Sequence, residues 1–189
     1  YQTGERHFGE SRVQELKQKR TQLPADIQWH FIGHLQTNKV RDLLKLKPYI
    51  IESVDSERLL HAINTEAEKL GIVQNILLEV HVAQEETKSG FTPNELTALL
   101  STDICASLPN IRICGLMSMA TNTEDETEIR RCFSTAASLT SNIRHLTSDI
   151  ILSMGMSDDY VDAIRWGSTM IRVGTAIFGA RNYAKPHQQ

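Results

Sequence analysis

The chain has 189 residues, enough for one domain with its own core. Its 40% hydrophobic and 23% charged residues are ordinary for a globular protein, and a net charge of −3 argues against wholesale nucleic-acid binding. No apolar run reaches the length of a membrane span and no signal peptide is visible; the three cysteines lack a CxxC spacing and read as reduced thiols, which together predict a cytoplasmic protein.

Short apolar runs alternate with amphipathic stretches along the whole chain. The runs Arg6–Gly9, Ile27–Gly33, Tyr49–Val54, Asn75–Val82, Ile111–Met119, Asp149–Met154 and Thr169–Gly174 predict strands. Several are rich in Ile and Val and nearly continuous, as strands buried on both faces should be. The second run carries His30 and His34, which on a strand share a sheet face but stand well apart. No third ligand accompanies them, so a pocket-lining or core role is expected and no metal site.

The helices between the runs carry readable ends. Asp55 or Ser56 caps a helix with Leu59, Leu60, Ile63, Ala67 and Leu70 on its apolar face and Gly71 as its stop. Lys88 follows the fourth run in a small-residue loop, as a solvated lysine or an amine near a site. Thr92-Pro93-Asn94-Glu95 is a capping box with proline in the first turn, and Thr123-Glu124-Asp125-Glu126 has the same form. Ser157 is expected to cap a short helix containing Val161 and Ile164 and closed by Gly167.

Repeated strand–helix–strand units imply parallel strands joined by crossovers. Even strand spacing and the lack of a Gly-rich dinucleotide turn favour a (β/α) barrel over a doubly wound sheet. A barrel of this kind has eight strands. Seven are predicted, and the opening at Tyr1, with no capping signal, places the missing one at the N-terminus. Residues 1–189 are read as one domain, a partial barrel without its first strand.

Two segments carry the chemistry. Ser153-Met154-Gly155-Met156-Ser157 ends a strand on a small-residue turn whose amides and Ser157 hydroxyl suit an anion. Arg172-Val173-Gly174-Thr175 ends the next. Gly174 lets a ligand approach the main chain, Thr175 adds a hydroxyl, and Arg172, set in an apolar strand, needs a partner. Loops after the last two strands of such barrels are the usual phosphate site.

The same residues carry a resemblance. Phe8-Gly9-Glu10-Ser11-Arg12-Val13-Gln14-Glu15, Trp29-His30-Phe31-Ile32-Gly33-His34-Leu35-Gln36-Thr37-Asn38-Lys39, Lys88-Ser89-Gly90-Phe91, Gly115-Leu116-Met117-Ser118-Met119, Ser153 to Asp159 and Gly167 to Arg181 stand in order. Together they resemble the pyridoxal phosphate homeostasis family, single-domain relatives of the alanine racemase barrel. The resemblance implies an intracellular protein that holds and delivers pyridoxal 5'-phosphate to apo-enzymes without turning over a substrate. The alternative is a fold-type III racemase or lyase. The resemblance implies phosphate contacts at Ser157, Gly174 and Thr175, an arginine near the pyridine nitrogen at Arg172, and further cofactor-binding positions at Ser153, Met154, Ser11 and His30. A single small barrel is expected to be a monomer. Ser11 stands where the family has Asn. The family's Schiff-base lysine, at the end of the first barrel strand, is expected upstream of Tyr1, so no catalytic residue is assigned within the chain.

Overall fold

Six strands, β1 (His7–Glu10), β2 (Gln28–Phe31), β3 (Ile50–Val54), β4 (Gln74–Val80), β5 (Ile111–Ser118) and β6 (Ile151–Ser153), pair in chain order, every pair parallel. The structure is a computed structural model and describes residues 1–84 and 89–180. Parallel neighbours need crossovers, and these are the helices α1 (Val13–Gln22), α2 (Val40–Lys45), α3 (Glu57–Leu70), α4 (Pro93–Leu100), α5 (Ile104–Ser107) and α6 (Glu126–Leu139). Two short helices follow β6, α7 (Tyr160–Arg165) and α8 (Thr175–Phe178).

The sheet curls. Three strand spacings in a flat sheet come to about 14 Å, yet the Glu52 carboxylate of β3 accepts a hydrogen bond from the Ser153 hydroxyl of β6 at 2.6 Å. Side chains on the concave face therefore meet across a lumen, as in a barrel wall.

The main core lies outside that wall. Trp29, Phe31, Ile51, Leu78, Ile113, Leu116 and Leu152 on the convex face pack against Leu16, Leu59, Leu60, Ile63, Leu96, Cys132 and Phe133 of the helices. A second, small cluster of Ile50, Leu77 and Met117 fills part of the lumen. The two clusters are the two faces of the same strands, which is why the sequence runs are apolar throughout.

Helix ends follow the sequence in two cases. The Ser56 hydroxyl accepts from the Leu59 amide, and Gly71 closes α3 in the left-handed region. Thr92 and Glu95 form a reciprocal capping box with Pro93 behind the cap. Two expected caps are corrected. Asp125, not Thr123, caps α6 through the Thr127 amide; its carboxylate is the stronger acceptor, and the Thr123 hydroxyl accepts from Asp125 N instead. Ser157 does not cap α7, which starts behind Asp159 without a side-chain cap.

Some strand bounds also move. The second run ends at Phe31, so His34 lies beyond the strand in the following loop. The seventh run is not a regular strand. It touches β6 by a single parallel bridge, Ser153 to Met170, with Met154 N donating to Met170 O at 3.1 Å and Arg172 N to Gly155 O at 2.9 Å. Ser168 accounts for part of this: its hydroxyl makes contacts of 2.8 Å to the carbonyls of Met154 and Met170 and pins the segment at its start.

Candidate functional site

The lumen is polar on one side. On β2, His30 is buried and its Nδ1 lies 2.6 Å from Glu52 Oε1, while its Nε2 lies 2.9 Å from Nδ1 of His7 on β1. The other Glu52 oxygen takes the Ser153 hydroxyl, and Ser153 Oγ in turn accepts from an Arg172 guanidinium nitrogen at 2.7 Å. The second terminal nitrogen of Arg172 donates to the Ser118 carbonyl at 2.9 Å. Six segments of the chain thus join in one hydrogen-bonded wall.

Charge in this wall is balanced locally. Burial pushes the Glu52 carboxyl up, but hydrogen bonds from His30 and Ser153 and the Arg172 charge outweigh it, and its pKa falls below the usual carboxylate value. Glu79 on β4, also buried, goes the other way. Burial raises its pKa, and the Ser89 hydroxyl at 2.8 Å only partly offsets this. Burial also lowers the Arg172 pKa, opposed by Glu52, Glu79 and Asp159.

Above Arg172 the chain makes an open cup. Gly155 adopts φ +95° and turns over α7 so closely that a Cβ there would stand 2.5 Å from the Ala163 Cβ and 2.9 Å from the Tyr160 Cα. Only glycine fits this turn. It sends Ser157 towards the end of the Thr169–Gly174 run, where its hydroxyl accepts from both Gly174 N and Ala176 N at 3.3 Å. Two main-chain amides and a hydroxyl therefore converge at an exposed point, and among the described residues nothing beyond its chain neighbours lies within 4 Å of where a Gly174 Cβ would be. The Met156 amide is committed to Asp159, at 2.6 Å.

The positions singled out in the sequence divide accordingly. Ser157, Gly174 and Thr175 come together at the cup, and Arg172, two residues before Gly174, reaches into the wall. Ser153 and His30 belong to the wall below. Met154 does not line the lumen: strand alternation turns its side chain into the main core, where it is fully buried. Ser11 lies at the rim and, with His34, lines a cleft of about 540 Å³ between α1 and α2. His34 is exposed and pairs with Asp55 at 3.2 Å, so the two histidines of the second run do not share a site. Lys88 lies outside the described residues. Among the described residues no group of three or more His, Cys, Asp or Glu is placed to hold a metal ion, and no helix is long and apolar enough to cross a membrane.

Glu52, Glu79 and His7 were not singled out in the sequence. For Glu52 the signal was present. A lone carboxylate in Tyr49-Ile50-Ile51-Glu52-Ser53-Val54 poses the same question as Arg172 in its own run, and each is part of the other's answer.

Known proteins match along nearly the whole chain. The model of the alanine racemase N-terminal domain matches residues 1–182. A pyridoxal phosphate homeostasis protein of Helicobacter pylori is 40% identical over 179 residues, 94% of this chain and 79% of that protein. PipY of Synechococcus elongatus is 35% identical, with 95% of this chain and 84% of that one aligned, at TM-scores of 0.86 without and 0.81 with pyridoxal phosphate bound. An alanine racemase of Clostridium difficile, 15% identical over 95% of this chain and 46% of its own at a TM-score of 0.76, shares the barrel fold. The chain belongs to the pyridoxal phosphate homeostasis family, on the alanine racemase N-terminal barrel.

Proposed function

We propose that this protein binds pyridoxal 5'-phosphate at the mouth of the barrel and serves cofactor homeostasis by holding and passing on the cofactor. The observation that carries the reading is the convergence of Gly174 N and Ala176 N on the Ser157 hydroxyl, an exposed set of donors that begins two residues after Arg172. The residues fit the group. Ser157, Thr175 and the amides of Gly174 and Ala176 would hold the phosphate, and Arg172 would face the ring nitrogen. Ser153 and His30 act through Arg172 and Glu52, Ser11 borders the mouth, and Met154 contributes packing alone.

When bound, the cofactor supplies an aldehyde and a ring that withdraws electrons best when its nitrogen is protonated. Arg172 disfavours that state, because a guanidinium donates hydrogen bonds, accepts none and keeps its charge. The site thus favours retention over turnover of amino acids. The protein would act as a cytoplasmic monomer, with cofactor-free enzymes as recipients.

Titrating the 189-residue chain with pyridoxal phosphate, followed by absorbance and equilibrium dialysis with inorganic phosphate as competitor, tests the reading. Saturable binding displaced by phosphate is expected. No saturable binding would sink it. Exchange of amino-acid α-protons in deuterated water, well above the rate with free cofactor, would replace it with a racemase or lyase.

A further inference from the structure

We propose that Glu52 is a positioning residue for Arg172: acting through the Ser153 hydroxyl, it orients the guanidinium so that the site prefers a pyridine ring to a carbocyclic one. This rests on the reading that Arg172 faces the ring nitrogen of the bound cofactor.

The argument is one of donors and acceptors. Glu52 is completely buried, and as a carboxylate it only accepts. Its two neighbours at 2.6 Å must therefore donate. His30 carries a proton on Nδ1, and the single hydroxyl proton of Ser153 points at Glu52. That leaves Ser153 with only lone pairs to offer on its other side, where Arg172 donates at 2.7 Å. The second nitrogen is fixed by the Ser118 carbonyl at 2.9 Å. Bonds from both terminal nitrogens set the plane of a rigid fork. Of its five N–H groups, those not used in these two bonds have no partner among the described residues and are free for a ligand.

Without the Glu52 charge, the Ser153 proton loses its fixed direction. The hydroxyl can then turn its proton towards the guanidinium, and the fork loses its anchor on that side. Glu79 does not substitute. It faces Arg172 from β4, but its hydrogen bond goes to Ser89 and its burial favours the neutral acid. The wall extends beyond what packing requires. Glu52 joins β3 to β2 through His30 and to β6 through Ser153, and its place in the lumen could be filled by an apolar side chain such as its neighbours Ile50 and Leu77.

The test uses three probes: 4-deoxypyridoxine 5'-phosphate, which has the ring nitrogen but no aldehyde; benzyl phosphate, which has neither; and inorganic phosphate. Wild type should prefer the first to the second. In E52Q the affinity for deoxypyridoxine phosphate should fall about tenfold, the scale of one charge-assisted hydrogen bond, with less than about a twofold change for the other two. S153A should give the same split, and the E52Q/S153A double variant should lose no more than the larger single loss. Equal losses for all three probes, or no loss, would overturn the positioning role while leaving the cofactor reading intact. So would losses that multiply in the double variant. If E52Q does not fold, an unchanged pyridine preference in S153A overturns the role by itself. A wild type that binds neither pyridoxal phosphate nor deoxypyridoxine phosphate overturns the reading beneath it.

Discussion

Glu52 and Ser157 are both acceptors that tie together distant parts of the chain, but they do so under opposite conditions. Glu52 is sealed in the lumen, with both oxygens committed at 2.6 Å. Ser157 is half-buried among exposed residues, and its two amide contacts are long, at 3.3 Å. The two groups bonded to Glu52 are committed to the protein, so a ligand meets what they position, the remaining N–H groups of Arg172. Those around Ser157 are held loosely by one hydroxyl, so an anion can take them over with little loss. The difference separates pre-organisation from capture, and each can be broken on its own.

The largest effect should come from Gly115→Ala. β5 and β6 supply Ser118 and Ser153 to the wall, and a Cβ at Gly115 would strike the Ile151 backbone, which cannot yield as a side chain could. A loss of about 3 kcal/mol or more is expected, read from urea denaturation. A normal midpoint would mean the two strands have slack the wall does not need.

Arg172→Met comes next. It removes two charged hydrogen bonds and leaves the Glu52–Ser153 end without its cation. About 2 kcal/mol of stability should go, together with pyridoxal phosphate binding. Loss of binding at unchanged stability would show that the wall does not depend on its guanidinium.

Ser157→Ala should behave differently. Stability should change by less than about 0.5 kcal/mol, as at other surface positions, while inorganic phosphate affinity falls about tenfold for the lost hydrogen bond to an anion. Calorimetry gives both numbers. Equal losses in stability and binding would erase the distinction between wall and cup.

Legibility in the sequence followed the same division. Parallel strands and crossover helices were readable because a strand buried on both faces must be apolar throughout and because caps such as Ser56 and Thr92 announce helix starts. The cup was readable only by pairing Ser157 with Gly174 and Thr175 at the end of the next run, since Ser157 alone reads as a helix cap. Spacing alone did not reveal that Ser157 reaches forward to Gly174 and Ala176 rather than capping α7; that choice depends on the Gly155 turn and on Asp159 taking the Met156 amide. The wall was least readable. His30, Glu52, Ser153 and Arg172 are far apart in the chain, and only the curl of the sheet brings β3 to β6. The Met154 side chain lies apart from Ser153 for the converse reason: strand alternation turns it to the other face of the sheet, into the main core.

Glu79→Gln should have the smallest effect, and its sign tests whether the lumen's two carboxylates differ as described. Glu79 has a raised pKa in the folded protein. The folded state therefore holds its proton to higher pH than the unfolded chain does. Its contribution is favourable below the ordinary glutamate pKa, about 4.3, and is lost as pH rises through the folded value. Glutamine removes that loss and can still accept from Ser89. The variant should melt higher than wild type at pH 7, with the gap closing as pH falls to about 4. Glu52, whose pKa is lowered, must give the reverse slope: its contribution is present at neutral pH and fades as acid protonates it. A Glu79→Gln variant that melts lower at pH 7 and equal at pH 4 would put both carboxylates on the same side of the ledger, and Glu79 would then share with Glu52 the work of holding Arg172.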